Sequence, residues 1–363
     1  MADITLTNVQ KRFGDFIAVK ESSFLISDRE FFVLLGPSGC GKTTTLRMIA
    51  GLELPSSGTI LLDGQDVTYK RASQRDIGFV FQLFALYPHM NVRANIGFPL
   101  KCQGVARHEI EKRVNDVAKL LRIEHLLDRS VSGLSGGDSQ RVSLGRAVVR
   151  RAKAFMMDEP LGALDSEFRR LMCTELRALH DRIAATTVYV THDQIEAMAM
   201  ADRIAVMNHG VVEQIGPPQE IYDRPQTVHV ASFIGTPAMN FLSFGGAVRS
   251  GERTVDLDGE LVEVPMLHES VAAGELALGV RPEHVSLVDS GAVRGVIFGA
   301  EYMGTLQIVA IDTRHGRVKA RISSAMRVRA GERVGLRFVT ERLLVFNTVT
   351  GRALSSAIFE EAA

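Results

Sequence analysis

Short apolar runs, each ended by a polar or glycine-rich cluster, recur through the first 235 residues or so of the chain. Residues 31–35, 154–157 and 187–190 are apolar or β-branched runs of strand length. They end in a glycine-rich turn, in Asp-Glu-Pro and in Thr-His-Asp, respectively. Buried strands of a parallel sheet show such runs, and open α/β sheets bind ligands at the carboxyl ends of their strands. The pattern therefore predicts a ligand-binding edge.

A helical period separates these predicted strands. One helical face is formed by Phe168, Leu171, Met172, Leu176, Leu179 and Ile183, and an earlier, charge-rich one by Ile110, Val114, Val117 and Leu121. Alternation of strands with helices is typical of a mainly parallel sheet, so we predict an α/β domain over residues 1–235. The earlier helix belongs to a segment of about residues 84–150, which we interpret as a helical insertion.

The hydrophobic pattern of the sequence changes around residues 216–218 and 235–237. From there on, apolar and polar residues mostly alternate with a period of two. Val334, Leu336 and Phe338 alternate with charged or glycine positions. Residues 255–257 lead into Asp258-Gly259, a dipeptide typical of hairpin turns. We therefore predict a second, all-β domain over residues 236–363, resembling a small OB-like barrel.

Composition narrows the classes of function. The chain has 363 residues, with 42 Lys plus Arg balanced by 42 Asp plus Glu, so its net charge gives no general attraction to nucleic acid. It has no Trp and only 6% aromatic residues, which disfavours a base-stacking surface. Three scattered cysteines make no disulfide framework and suggest a reducing compartment. We expect no signal peptide and no membrane span.

The glycine-rich turn after the first apolar run matches a phosphate-binding loop. Residues 36–43, Gly-Pro-Ser-Gly-Cys-Gly-Lys-Thr, fit G-x-x-x-x-G-K-[ST] in full, between a predicted strand and a helix that should end near Gly51. Glycines let backbone N–H groups wrap phosphates, and the helix N-terminus adds favourable charge. Lys42 is expected to reach the β- and γ-phosphates, and the Thr43 hydroxyl is expected to bind Mg²⁺.

Two further clusters complete a predicted nucleotide site. Asp158 and Glu159 end an apolar strand, so Asp158 is expected to hold Mg²⁺ and Glu159 to accept a proton from the attacking water. Residues 134–137, Leu-Ser-Gly-Gly, precede a predicted helix and offer backbone amides as a second anion site. Two anion sites suggest a nucleotide that is held from two sides.

Six short motifs follow one another along residues 1–235: residues 36–43, Gln82, residues 134–137, residues 155–159, residues 161–165 and His192. In this order they resemble the Walker A loop, Q-loop, signature, Walker B strand, D-loop and switch histidine of the ATP-binding subunit of an ATP-binding cassette (ABC) transporter. The resemblance implies a P-loop NTPase fold of the ABC type with a helical subdomain.

The resemblance also implies roles. Phe13 should stack on adenine, Gln82 should contact Mg²⁺ or the attacking water, and His192 should contact the γ-phosphate and support Glu159. The implied ATP-binding residues are Phe13, Ser38, Gly39, Cys40, Gly41, Lys42, Thr43, Thr44, Ser135, Gly136 and Gly137. The implied catalytic residues are Glu159, His192 and Gln82, and the implied Mg²⁺ ligands are Thr43, Gln82 and Asp158.

Some of these residues keep a second interpretation. The less favoured alternative for Phe13 is a core residue at a strand edge. Asp165, which by the resemblance should cross to the other subunit, has a helix cap as its alternative role. Cys40 is either a reactive thiol, activated by the helix N-terminus, or a small filler. Asp138 departs from the Gln common in the family, and a carboxylate near a phosphate is unfavourable unless it points away or pairs with a cation such as Arg141.

Two more stretches narrow the branch of the family. Residues 85–96 and 233–241 resemble the import-type, sugar-transporter branch, and residues 279–284 and 301–304 resemble the regulatory (TOBE-type) domain of maltose- and glycerol-phosphate-type ATPases. The resemblance therefore implies ATP-driven import of a carbohydrate, polyol or glycerol-phosphate-type solute. ATPases of polyamine, iron or sulfate importers remain as alternatives. An exporter, a soluble non-transport ABC ATPase and a nonhydrolytic regulator are disfavoured.

Such an ATPase implies particular partners. Two copies should sandwich two ATP molecules, with each signature facing the Walker A loop of the other copy. The dimer should sit at the cytoplasmic face of a bacterial cell membrane, on two separate permease subunits fed by an extracytoplasmic solute-binding protein. Nucleic acid is not expected as a partner. The solute itself is not encoded in this chain.

Overall fold

A computed structural model describes residues 2–82, 85–150, 152–162, 164–257 and 259–360. The chain divides into two compact units, residues 1–218 and residues 219–363. In the first unit the strands are β1 Ile4–Phe13, β2 Phe16–Ile26, β3 Phe31–Leu35, β4 Ser57–Leu62, β5 Gln65–Asp66, β6 Ile77–Val80, β7 Ala154–Asp158, β8 Thr186–Thr191, β9 Arg203–Asn208 and β10 Val211–Gly216. The helices that precede residue 218 are α1 Lys42–Ala50, α2 Val92–Cys102, α3 Arg107–Leu120, α4 Gly136–Val148, α5 Ser166–Ile183 and α6 Gln194–Met200.

A six-stranded sheet forms the centre of the first unit, in the order β10-β9-β3-β8-β7-β6. The five strands from β9 to β6 are parallel, and β10 pairs antiparallel to β9. β3, β7 and β8 are buried at every residue, as their continuous apolar runs predict. Because these three strands are adjacent and parallel, the polar residues that follow them meet at one edge of the sheet.

An antiparallel sheet, β2-β1-β4-β5, packs against the six-stranded sheet and encloses one apolar core with it and with α1. The predicted helical insertion is present: α2, α3 and α4 lie between β6 and β7 and pack on one another. Gly145 of α4 lets Ile96 and Leu121 approach closely. None of the helices in the described residues is long and apolar enough to cross a membrane.

One predicted helical face differs from the structure. On α5 the buried residues include Met172, Leu176 and Leu179 as expected, but Leu171 is 50% exposed and His180 is buried instead. Leu171 and His180 lie on opposite sides of the helix, because nine residues make about two and a half turns. His180 lies on the buried side, where it finds polar partners. Its two ring nitrogens contact the Thr187 hydroxyl at 3.0 Å and the Arg29 carbonyl at 3.1 Å.

The second unit is rich in β-structure, as predicted. It contains α7 Pro218–Asp223 and α8 Val228–Phe233, followed by β11 Asn240–Val248, β12 Thr254–Leu257, β13 Glu260–Glu263, β14 Val271–Val280, β15 Val285–Val288, β16 Val293–Tyr302, β17 Leu306–Thr313, β18 Gly316–Ser323, β19 Arg333–Phe338, β20 Leu344–Asn347 and β21 Arg352–Ala353. The described strands form two sheets, β11-β14-β20-β21 and β15-β19-β16-β17-β18, and the predicted β12-β13 hairpin, around one apolar core. Asp258 of the hairpin turn lies outside the described residues.

The two compact units divide before the boundary that we expected at residue 235. Helix α8 and the end of helix α7 pack with the second unit because Arg281 binds them. Its guanidinium, 2% exposed, donates hydrogen bonds to the carbonyls of Tyr222, Ala231 and Ile234. A buried guanidinium needs such acceptors, so these segments are tied to the strands that follow them.

Candidate functional site

The phosphate loop lies between β3 and α1, as the motif predicts. Gly39 and Gly41 have φ angles of 79° and 105°, a region that strongly favours glycine. A Cβ at Gly41 would also lie 2.5 Å from the Ala18 carbonyl oxygen. These glycines therefore keep the loop tight and leave backbone N–H groups at the start of α1 free of side chains. Such an arrangement fits a bound phosphate.

Lys42 is held inside this loop. Its side-chain ammonium donates hydrogen bonds to the carbonyls of Gly36 at 2.8 Å and Pro37 at 2.9 Å, and the residue is 3% exposed. Two neutral carbonyl acceptors compensate a buried cation incompletely. A phosphate in the loop would supply the opposite charge that the ammonium otherwise lacks, so the residues fit a nucleotide.

Thr43 and Asp158 meet at the carboxyl end of the sheet. The Thr43 hydroxyl donates a hydrogen bond to Asp158 Oδ1 at 2.8 Å, and the Arg47 guanidinium lies 3.9 Å from Asp158 Oδ2. Burial raises the pKa of the Asp158 carboxyl, and the Thr43 hydrogen bond and the Arg47 charge partly oppose this effect. A hydroxyl and a carboxylate side by side are the hard oxygen ligands that Mg²⁺ prefers.

Glu159 and His192 form the next pair along this edge. His192 Nδ1 lies 3.3 Å from Glu159 Oε2, which joins the residue after β7 to the residue after β8. The Glu159 backbone N–H donates to the Val190 carbonyl at 3.0 Å, and Glu159 has a φ of 43°, which is unusual for a residue other than glycine. Such unusual backbone is often found at functional sites. The geometry gives a carboxylate and an imidazole in mutual contact.

Phe13 and Gln82 are both exposed at the ends of strands. Phe13 ends β1, is 48% exposed, and has the Lys11 ammonium 4.7 Å from its ring centroid. Lys11 is itself fixed by an ion pair with Glu53 at 2.7 Å. An exposed aromatic side chain does not behave as a core residue at a strand edge. Gln82 lies two residues after β6, and no contact in the described residues joins it to the Thr43–Asp158 pair.

Ser135 begins helix α4 as its N-cap. Its Oγ accepts a hydrogen bond from the Asp138 backbone N–H at 3.1 Å and donates one to Asp138 Oδ2 at 2.7 Å. Asp138 Oδ1 also lies 3.6 Å from Arg141 Nη1, the cation that we expected as its partner. The carboxylate in place of the usual Gln is therefore engaged by its own helix turn, and it closes the N-terminal cap.

Gly136 and Gly137 follow this cap in the first turn of α4. Their surroundings differ: a Cβ on Gly137 would overlap the Phe168 ring, whereas a Cβ on Gly136 would meet only Leu164 at an ordinary 3.5 Å. No hydrogen bond or ion pair between described residues joins the segment 135–137 to the phosphate loop.

Asp165 caps α5, with its Oδ1 accepting from the Phe168 N–H at 2.9 Å. Ala163, within the same predicted D-loop, lies outside the described residues.

Cys40 is a filler rather than an activated thiol. It is 3% exposed, and burial raises the pKa of its thiol despite the nearby Lys42 ammonium. Its sulfur packs beside Gly36, where a Cβ would lie 2.8 Å away. Of the two interpretations of Cys40, burial favours the filler, because desolvation outweighs the favourable charge of the nearby ammonium.

Sequence reasoning missed two residues beside His192. Arg169 of α5 and Glu196 of α6 join the turn after Glu159 to the turn that contains His192, through contacts described below. One signal was present in the sequence. Asp193 with Glu196 three residues later is the pattern of a capping box, which predicts that α6 begins directly after His192. The Asp193 carboxylate does accept from the Ile195 and Glu196 N–H groups.

Comparisons with known proteins identify the family of the chain. The family model described as ABC transporter matches residues 19–162, and the model described as TOBE domain matches residues 278–346. The trehalose/maltose import ATP-binding protein MalK of Thermococcus litoralis is 45% identical over 98% of this chain and 100% of its own length. The sn-glycerol-3-phosphate import ATP-binding protein UgpC of Chromobacterium violaceum is 42% identical over 100% of this chain and 99% of its own.

Solved structures match the first part of the chain. The dimeric, post-hydrolysis ATP-binding cassette MJ0796, bound to ADP and Pi, aligns with a TM-score of 0.53 at 31% identity, covering 59% of this chain and 98% of its own. The fold of this part of the chain is thus similar to that of a cassette whose structure contains ADP and Pi. On this geometry and on identity along its whole length, the chain belongs to the ATP-binding subunits of ABC transporters, and it is an ABC-type ATPase with a C-terminal TOBE domain.

Proposed function

We propose that this ATPase powers the import of a carbohydrate, or of a related polyol or glycerol-phosphate-type solute, through a separate membrane permease. The observation that carries the proposal is full-length identity of 42–45% to import ATPases named for trehalose, maltose and sn-glycerol-3-phosphate. The identity extends through the TOBE domain, so it is not limited to the nucleotide-binding core that all ABC ATPases share.

In this proposal the phosphate loop binds ATP. The N–H groups of residues 38–44 and the Lys42 ammonium surround the β- and γ-phosphates, and Phe13 stacks on the adenine. Thr43 and Asp158 hold Mg²⁺, which supplies charge neutralisation at the phosphate oxygens, and Gln82 completes the metal site. The 2.8 Å contact between the Thr43 hydroxyl and Asp158 Oδ1 supports the role in Mg²⁺ binding, since two oxygen ligands lie side by side.

Glu159 then acts as the general base. Its carboxylate accepts a proton from the attacking water as the water oxygen bonds to the γ-phosphorus and the bond from that phosphorus to the β–γ bridging oxygen breaks, which releases ADP and phosphate. His192 keeps the carboxylate oriented through their 3.3 Å contact and presents its other ring nitrogen to the γ-phosphate. The buried Asp158 next to it would hold Mg²⁺ instead of acting as the base. Thr43 and Arg47 contact its two oxygens and fix their orientation.

A second copy of the chain completes the site. Residues 135–137 offer helix N-terminal amides, but they are not joined to the chain's own phosphate loop. In a head-to-tail dimer they would contact the γ-phosphate bound by the partner. Dimeric structures of the MJ0796 cassette support the formation of a dimer. The dimer is proposed to sit on the cytoplasmic face of the cell membrane, beneath two permease subunits and with a solute-binding protein on the far side. Residues 236–363 are proposed to serve as the regulatory domain.

The test is a pull-down of the tagged full chain from gently solubilised native membranes, with the bound proteins identified by mass spectrometry. Glu159→Gln serves as a second bait because it should prolong the ATP-bound state, and the tag alone is the control. Recovery of two multi-span proteins, with a co-purifying solute-binding protein, supports the proposal. Recovery of ribosomal or repair proteins with no membrane protein would refute import.

A further inference from the structure

A buried cluster of polar side chains lies directly beside His192 and has no part in the chemistry described so far. At its centre, Glu196 of α6 is 3% exposed. Glu196 Oε2 accepts hydrogen bonds from the Tyr189 hydroxyl at 2.8 Å and the Thr191 hydroxyl at 2.7 Å. Both donors belong to β8, the strand that ends just before His192. The carboxylate therefore fixes the end of β8 against the start of α6.

Arg169 of α5 binds the other side of this cluster. Its Nη1 donates to Asp193 Oδ2 at 3.0 Å, its Nη2 donates to the Leu164 carbonyl at 2.8 Å, and its Nε lies 3.6 Å from Glu196 Oε1. The planar guanidinium thus contacts two carboxylates and one backbone carbonyl. A fork of donors with fixed directions is a property that Arg has and Lys does not.

The groups that Arg169 holds belong to the two turns that carry the reacting pair. Leu164 lies two residues after the turn Glu159–Gly162, which is closed by the Gly162 N–H donating to the Glu159 carbonyl at 3.2 Å, and its own N–H donates to the Leu161 carbonyl at 3.1 Å. Asp193 follows His192 directly, and its N–H donates to the Thr191 hydroxyl at 3.0 Å. The Arg169 side chain therefore joins the segment that follows Glu159 to the turn that contains His192.

We propose that Arg169 is a positioning residue for ATP hydrolysis, which holds the turn after Glu159 and the turn around His192 in register so that the two side chains stay in contact. Arg169 touches neither of them and acts only through the backbone segments that it joins. The inference rests on the proposed roles of Glu159 and His192. It adds the residue that maintains their 3.3 Å separation.

Helix α5 carries a matched control for a purely structural role. Arg177 lies two turns further along and also ties α5 to α6. Its Nη1 donates to the Met200 carbonyl at 2.8 Å and to Asp202 at 2.9 Å. Its side chain is 32% exposed, against 25% for Arg169. Arg177 binds the far end of α6, away from His192, so its loss removes a similar anchor without releasing either turn.

The experiment compares steady-state ATP hydrolysis and ATP-analogue affinity of the full chain with Arg169→Ala, Arg169→Lys and Arg177→Ala. Small misplacements of catalytic groups cost on the order of 10²-fold in rate, so Arg169→Ala should lower kcat about ten- to 100-fold. Nucleotide affinity should stay within about twofold. Arg169→Lys should not restore the rate because it lacks the fork, and Arg177→Ala should stay near the wild-type rate.

A second arm measures coupling between residues. In a Glu159→Gln background, Arg169→Ala should cause no further loss, because residues that act as one unit are non-additive. Equal losses in both backgrounds, or equal losses from Arg177→Ala, would mean that Arg169 only supports the fold, and the proposal fails. A wild-type rate in Glu159→Gln alone refutes the proposed base and this inference together. If Arg169→Ala does not fold, Arg169→Lys and Arg169→Gln carry the same comparison.

Discussion

Substitution of Gly137 by Ala perturbs the start of helix α4 through one identifiable clash. A Cβ at this position would lie under 3.0 Å from Cε1 and Cζ of the Phe168 ring and 3.4 Å from Cδ1. Carbon atoms in contact normally stay 3.5–4.0 Å apart, so the ring or the helix must move. The ring is not free to swing outwards at no cost, because the Arg141 guanidinium lies 5.8 Å from its centroid.

The magnitude follows from two opposing terms. Replacing Gly by Ala inside a helix stabilises it by about 0.5–1 kcal/mol through backbone entropy and helix propensity. Overpacking of a filled site costs about 1–3 kcal/mol. Gly137→Ala should therefore be destabilising by up to about 2 kcal/mol, whereas its neighbour Gly136→Ala, with a Cβ at 3.5 Å from Leu164, should be neutral or slightly stabilising.

The assay is amide hydrogen exchange of α4 by mass spectrometry, since it reports this helix without requiring two-state unfolding of both units. Gly137→Ala should raise the exchange rate across Gly136–Val148, and Gly136→Ala should not. A Phe168→Ala substitution removes the obstructing ring, so Gly137→Ala in that background should lose its destabilising effect. Equal exchange in the two single variants, or no rescue by Phe168→Ala, would refute the reasoning.

Three further predictions concern buried polar groups. Burial lowers the pKa of His180 below its usual 6.5, so the folded chain takes up fewer protons there than the unfolded one. The stability that this neutral His provides is present above about pH 6.5 and is lost as the pH falls towards the folded pKa. The melting temperature of the wild type should therefore fall between pH 7.5 and pH 5.5, and this pH dependence should be smaller in His180→Gln. The buried Arg75, 1% exposed, donates hydrogen bonds to four backbone carbonyls, those of Met48, Ile49, Thr68 and Lys70. Arg75→Met should therefore lower the free energy of unfolding by about 2 kcal/mol or more, measured as a lower midpoint of urea unfolding. Substitution of the exposed Arg71 by Met should not lower it. Exposed Cys102 should react with a maleimide in the native chain and buried Cys40 only after unfolding, as peptide mass mapping would show.

Much of the nucleotide-binding unit could be predicted because each of its parts has a local signal. The buried strands Phe31–Leu35 and Ala154–Asp158 are continuous apolar runs, and glycines mark the loop that must curl around phosphate. The end of each strand then fixes where the polar cluster after it lies. The parallel strand order β3-β8-β7 brings Thr43 and Asp158 to the same edge of the sheet although 115 residues separate them in sequence.

The features that the sequence did not reveal depend on distant partners. His180 is buried because Thr187 and Arg29 offer it polar partners, whereas Leu171 lies on the opposite side of α5 and is exposed. Helix α8 and the end of α7 pack within the second unit through Arg281, contacts across about 50 residues that no local pattern encodes. Arg169 is one of several arginines on an amphipathic helix, and only the fold shows what its guanidinium joins.

The central claim is that this chain hydrolyses ATP with Glu159 as the base. The most direct measurement is phosphate release by the purified chain with Mg²⁺ and saturating ATP, compared with Glu159→Gln and with the exposed control Glu167→Gln, while ATP binding is measured in parallel. The account predicts that Glu159→Gln keeps ATP binding and loses about 10²–10⁴-fold in kcat, and that Glu167→Gln matches the wild type. Hydrolysis by Glu159→Gln at the wild-type rate would contradict it.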